Sequence, residues 1–167
     1  MKVLVPVDAS AAALAPIRHI ESLARAAVKV EVLLVNVQPR FNRHIAQFTS
    51  RAARRALRAE RSAAAFAQAI DALAAARVPF APVCELGDPA ERIAAAAERE
   101  RVDEIMIGVG RHPAWLRFLN PSIARGVMAR TDIPLTIFSS GHASALARYG
   151  VPAGLAGLAT ILYVSEL

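Results

Sequence analysis

Apolar and polar positions along the chain fall into two alternating patterns. Short, nearly continuous apolar runs occupy residues 2–7 (KVLVPV), 28–37 (VKVEVLLVNV), 78–86 (VPFAPVCEL), 103–108 (DEIMIG) and 133–138 (IPLTIF). Runs of this kind predict strands buried on both faces. Between them apolar residues return every third or fourth position, the signature of a helix with one inward stripe. Leu14, Ile17, Ile20 and Ala24 predict a first helix to about Ala27, with Ser10 as a cap. After a connection over 39–48, an alanine- and arginine-rich helix is predicted over 49–76. Asp88-Pro89-Ala90-Glu91 starts a third helix, ending near Arg101: a cap, a proline in the first turn and an acid three residues after the cap. Asn120-Pro121 starts a fourth, running to Arg130. Pro79 and Pro82 place the third strand at an edge, because proline has no N–H to donate to the ladder.

Five strands alternating with four helices predict an α/β class fold, a doubly wound five-stranded parallel sheet with helices on both faces. Such sheets bind ligands beyond the carboxyl ends of their strands, where the strand order reverses. Asp8, Val37 and the segment from Gly108 to Arg111 are predicted to reach that edge.

A length of 167 residues suits one domain with a real core, and an apolar content of 55% argues against disorder over most of it. The opening MKVLVPVD lacks the pattern of a signal peptide, and the single cysteine, Cys84, excludes an internal disulfide. The cytoplasm is the expected location. The net charge of +6 is local: residues 40–61 hold seven of the 20 basic residues and one of the 14 acids, so the remainder balances at 13 of each. The chain reads as a neutral body with one basic segment.

Three stretches then matter together: VLVPVDAS at the start, LGDPAERIAAAAERERVDEIMIG in the middle and NPSIARGVMARTDIPLTIF near the end. In this order and spacing they resemble the universal stress protein family over residues 1–139, which leaves 140–167 as an apolar C-terminal extension. The resemblance implies strand order 3-2-1-4-5, an adenine nucleotide alpha hydrolase-like fold and a homodimer, often formed through the last strand. Family members that bind ATP carry Gly-x-x-Gly, nine residues, then Gly-Ser/Thr, whose glycines let backbone N–H groups approach phosphates. Here Gly108 and Ser122 match, whereas Arg111 and Pro121 stand where two glycines belong. Proline removes an N–H, arginine adds bulk, and Gly110 substitutes only in a shifted loop. Asp8 matches the acid after the first strand.

By that resemblance a nucleotide would meet Pro6, Val7, Asp8, Val37, Gly108, Gly110, Arg111, Ser122 and Ile123. The expected function is therefore a dimeric, non-enzymatic regulatory or interaction protein of the stress response, with weak or no ATP binding and no required cofactor. The alternative is a nucleotide-binding switch with an altered phosphate loop, with slow hydrolysis left open. A second alternative is binding of nucleic acid or an acidic partner through Arg51, Arg54, Arg55, Arg58 and Arg61, which line one helix face. That stripe has no aromatics for base stacking, so nucleic acid is the weaker partner and a solvated outer face the simpler expectation.

Trp115 and Phe118, in an apolar loop with Leu116 and Leu119, are candidates for a partner surface; the other expectation is that the loop folds onto its own domain. The extension, with Ile161 and Tyr163, is shorter than a membrane span and is expected to dock on its own or a partner subunit. His19, His44, His112 and His142 lack metal-ligand spacing, so no metal site is expected. Ser139 to His142 lacks the nucleophile-elbow pattern, and nothing else supports covalent or acid–base catalysis. Cys84 is expected to be a small buried strand residue.

Overall fold

The structure is a computed structural model that describes residues 1–40, 50–110 and 121–139. Five parallel strands, β1 (Lys2–Pro6), β2 (Glu31–Gln38), β3 (Phe80–Leu86), β4 (Glu104–Val109) and β5 (Leu135–Ser139), form one sheet in the order β3-β2-β1-β4-β5. This is the predicted order, with proline-bearing β3 at one edge and β5 at the other. The order reverses between β1 and β4, which pair through Val3–Glu104 and Leu4–Ile105.

Side-chain alternation along the central strands feeds a core on each face. Val3 and Val5 of β1 with Val32 and Leu34 of β2 face Ile17 and Ile20 of α1 (Leu14–Arg25) and Phe66, Ala69 and Leu73 of α2 (Arg51–Ala75). Leu4, Leu33 and Val35 face Ile93, Ala96 and Ala97 of α3 (Pro89–Arg99) and Ala124 and Val127 of α4 (Pro121–Met128). An alanine added at Gly126 would bring its Cβ to 2.7 Å from Ala90 Cβ, so glycine lets α4 lie close on α3.

The helix ends explain where the predicted boundaries shift. At the amino edge of the sheet α1, α2 and α3 each close with a left-handed residue: Ala27 (φ 60°), Arg77 (φ 55°) and Arg101 (φ 52°). The following valine then bonds back: Val28 to Leu23 O, Val78 to Leu73 O and Val102 to Ala97 O, at 3.0, 3.0 and 3.1 Å. These are three copies of the Schellman turn, each without the glycine that normally supplies it. Ala27 and Val28 are used in that turn, so α1 ends at Arg25 and β2 begins at Glu31 rather than at Val28. Asp88 caps α3 as expected, accepting from Glu91 N–H at 2.9 Å with Pro89 in the first turn. Ser10 does not cap its helix. A short 3-10 turn, Ala11–Ala13, precedes α1, and the Ser10 hydroxyl instead donates to Asp8 Oδ1 at 2.5 Å.

Candidate functional site

The carboxyl edge of the sheet is built differently from the amino edge. Beyond Pro6 the chain bonds once more to β2, Val7 N–H to Val35 O at 2.9 Å, then turns at Asp8. Asp8 Oδ1 also accepts from Ser10 N–H at 3.0 Å, a local turn that leaves the carboxylate exposed. The 3-10 turn then presses against β4. A Cβ at Gly108 would lie 2.0 Å from Ala12 O and 3.1 Å from Pro16 Cδ. Packing alone therefore requires glycine at 108, and its presence says nothing of a phosphate.

A cleft of about 260 Å³ opens at the β1/β4 switch point. Pro6, Val7, Asp8, Val37, Gly108, Gly110 and Ile123 all line it, so the sheet brings together seven of the nine nucleotide candidates. Val35, Ile93 and Ile107 complete an apolar floor. Of the side chains that line it, Asp8 and Ser10 are the polar ones, and no lysine or arginine is among them in the described residues. Ser122 stands in the first turn of α4, which opens on Pro121 and so lacks that residue's N–H. Arg111 lies outside the described residues, as do Trp115, Phe118, Ile161 and Tyr163. A larger hollow, about 670 Å³, lies at the amino edge between Lys2, Lys29, Arg77 and Asp103. We place the candidate site in the smaller cleft, because parallel sheets bind ligands at the carboxyl edge.

Beside the cleft lies a polar cluster that the apolar pattern of β2 concealed. Asn36 and Gln38 are buried, at 7% and 6% exposure. Asn36 Nδ2 donates to Val7 O at 2.8 Å. Gln38 Nε2 donates to Ser62 Oγ at 2.8 Å, to Arg58 O at 3.0 Å and to Asn36 Oδ1 at 3.1 Å. The Ser62 hydroxyl reaches Cys84 Sγ at 3.1 Å. These bonds tie the end of β1, the end of β2, α2 and the edge strand together. The signal was present in NVQ, two polar residues at strand spacing on one face. Cys84 is exposed rather than buried: β3 is the edge strand, and the one contact to Ser62 of α2 leaves the thiol open.

The arginine stripe lies on α2 and is mostly exposed. Residues 51, 55, 58, 62, 65, 69 and 73 follow one another at three- and four-residue steps, so Arg51, Arg55 and Arg58 share a face with the buried Ala65, Ala69 and Leu73. Further along α2 this face packs on the sheet through Ala69 and Leu73. Arg54 and Arg58 are half-buried, whereas Arg51, Arg55 and Arg61 are exposed. Because Gln38, the last residue of β2, bonds to Arg58 O, the turns before Arg58 project past the carboxyl edge. Ser50 caps this overhang, accepting from Ala53 N–H at 3.0 Å.

The sequence profile described as the Universal stress protein family matches residues 1–139. The chain belongs to the universal stress protein family. No curated protein matches it. Among solved structures it is similar to a universal stress protein family protein from Burkholderia pseudomallei, with 20% identity, 82% of this chain and 94% of that chain covered, and a TM-score of 0.61. It is similar to one from Arabidopsis thaliana with AMP bound, with 16% identity, 93% and 98% covered, and a TM-score of 0.62. It is also similar to the universal stress protein from Archaeoglobus fulgidus in complex with dAMP, with 20% identity, 83% and 97% covered, and a TM-score of 0.59. At these identities the likeness shows the fold, which is the five-stranded order seen here. Among the described residues of this universal stress protein, no helix is long and apolar enough to cross a membrane. No group of three or more His, Cys, Asp or Glu among them could hold a metal ion.

Proposed function

We propose that the chain is a non-enzymatic regulatory or interaction protein of the stress response, a cytoplasmic homodimer with weak or no ATP binding. The observation that carries this reading is the lining of the cleft. Its described polar side chains are a carboxylate, Asp8, and a hydroxyl, Ser10. A triphosphate entering there would meet negative charge, and Pro121 offers no N–H at the helix start. The one motif glycine left in the cleft at its expected position, Gly108, is required by Ala12 instead.

The dimer draws support from β5. It pairs with β4 on one side, and Ile137 on it and Met128 nearby in chain order are 45% and 57% exposed. Among the described residues no strand pairs with its other side, and an apolar edge strand is a template for a second strand. Sedimentation velocity tests this, with a dimer expected for the wild type and a monomer for Ile137→Lys.

The nucleotide-switch reading keeps one support of its own: the Arabidopsis and Archaeoglobus proteins hold AMP and dAMP, each with a single phosphate. On that reading Asp8, Gly108, Arg111 and Ser122 hold the ligand. Releasing any carried ligand from freshly purified protein and identifying it by chromatography separates the two. Stoichiometric nucleotide supports the switch, and an empty protein supports the interaction reading.

A further inference from the structure

The overhang of α2 has no reason to exist in the core. The first buried residue of the helix is Ala65, yet the helix begins at Arg51. The segment from Arg51 to Arg61 spans about 15 Å at the rise of an α-helix. Leu57, its one large apolar side chain, is 37% exposed. The arrangement also runs against local electrostatics. The first turn holds no acid, and Arg51 and Arg54 sit at the positive end of the helix dipole. The segment holds five arginines and Glu60 as its one acid, and Arg51, Arg55 and Arg61 are exposed. Gln38 and Ser62 hold this segment to the sheet. A helix segment held in register, with no large buried side chain among its described residues and loaded with one sign of charge, is an arrangement that suits an anionic partner.

We propose that the arginine face of this overhang, led by the exposed Arg51, Arg55 and Arg61, is a docking surface for an acidic helical segment of a partner protein. Charge complementarity and shape both point to that occupant. The arginines recur at three- and four-residue steps, the spacing at which a second helix presents its carboxylates, and the guanidinium fork matches a carboxylate in two bonds. Exposed Leu57 borders the stripe and suits a protein contact. Nucleic acid fits less well. The segment has no aromatic residue for stacking, the charge outside 40–61 is balanced, and Asp88 and Glu91 stand exposed at the same edge, where a broad duplex would press on them. The proposal rests on the reading of the chain as an interaction protein, but its test involves no nucleotide, so the two fail separately.

The probe is a dye-labelled helical peptide of glutamate and alanine, about 15 residues long, with carboxylates at three- and four-residue spacing. Its anisotropy is followed against the full chain at about 0.15 M salt. The wild type is expected to bind, and the combined variant Arg51→Gln, Arg55→Gln, Arg61→Gln to lose roughly tenfold or more in affinity. The control variant Arg18→Gln, Arg25→Gln, Arg125→Gln removes the same charge from other exposed positions and is expected to bind as the wild type does. Removing cations from the positive end of a helix should leave the melting temperature unchanged or higher, so lost binding would not be lost folding. If the combined variant loses helix content, Arg55→Gln alone carries the test. Absence of peptide binding up to about 1 mM, an equal loss in the control variant, or tighter binding of duplex DNA than of the peptide at that salt would each overturn the proposal.

Discussion

The two ends of the sheet solve opposite problems. At the amino edge three helices close with one repeated device, a left-handed residue followed by a valine that bonds back into the last turn. The backbone satisfies itself there, and the side chains at the turn, alanine once and arginine twice, are incidental to it. At the carboxyl edge no device repeats among the described residues. A glycine admits a carbonyl, two buried amides tie four elements together, and a helix runs on past its core carrying arginines. Regularity at one end and specific side chains at the other teach where sequence change is free. The amino edge should tolerate or even gain from substitution, and the carboxyl edge should not.

The largest effect is expected at Gly108. Alanine there places its Cβ against Ala12 O, which forces the 3-10 turn off β4. A loss of about 3 kcal/mol, or roughly 6–12 °C in Tm, is expected by thermal unfolding, without any ligand present. Gly108→Ala melting like the wild type would remove the packing explanation. Next comes Gln38→Leu, which removes the bonds from Gln38 to Arg58 O and Ser62, leaves Ser62 a longer 3.5 Å contact to Asn36 in β2, and should cost about 1–3 kcal/mol in urea unfolding. It should also raise amide exchange in the first turns of α2 more than in the last, because Gln38 is what anchors them. Uniform exchange along α2 would deny that role.

At the amino edge the sign reverses. Arg77→Gly relieves a left-handed arginine and should stabilise by about 0.5–1 kcal/mol, while Gly at an ordinary helix position costs about as much. Destabilisation at 77 would mean that the arginine side chain matters there. The smallest effect is Arg51→Glu, which puts an acid at the positive end of α2 and should raise Tm by about 1–3 °C.

These contrasts also mark what could be read from the sequence. Strand order follows from five apolar runs separated by helical periods together with the family resemblance, and the prolines of β3 gave its edge position because proline lacks a donor. Asp88-Pro89 fixed a helix start for the same local reasons that hold in the structure. Periodicity, however, reports which residues share a helix face and not where the sheet beneath that face stops. Arg51, Arg55 and Arg58 were therefore legible as one stripe, but not as the continuation of Ala65 and Leu73 beyond the end of β2. Cys84 failed in the same way: an apolar run shows that a strand is buried on average, and an edge position exposes individual residues. Gly108 looked like part of a phosphate motif because a tight turn and a tight packing contact ask for the same residue.

The account turns on whether the cleft beyond β1 and β4 holds a triphosphate. Calorimetric titration of ATP with magnesium into protein freed of carried-over ligand decides it. The account predicts no heat, and no rise in melting temperature, up to about millimolar ATP. Micromolar binding that weakens on Asp8→Ala would contradict it and would make the chain a nucleotide switch that holds phosphates without its family's glycines.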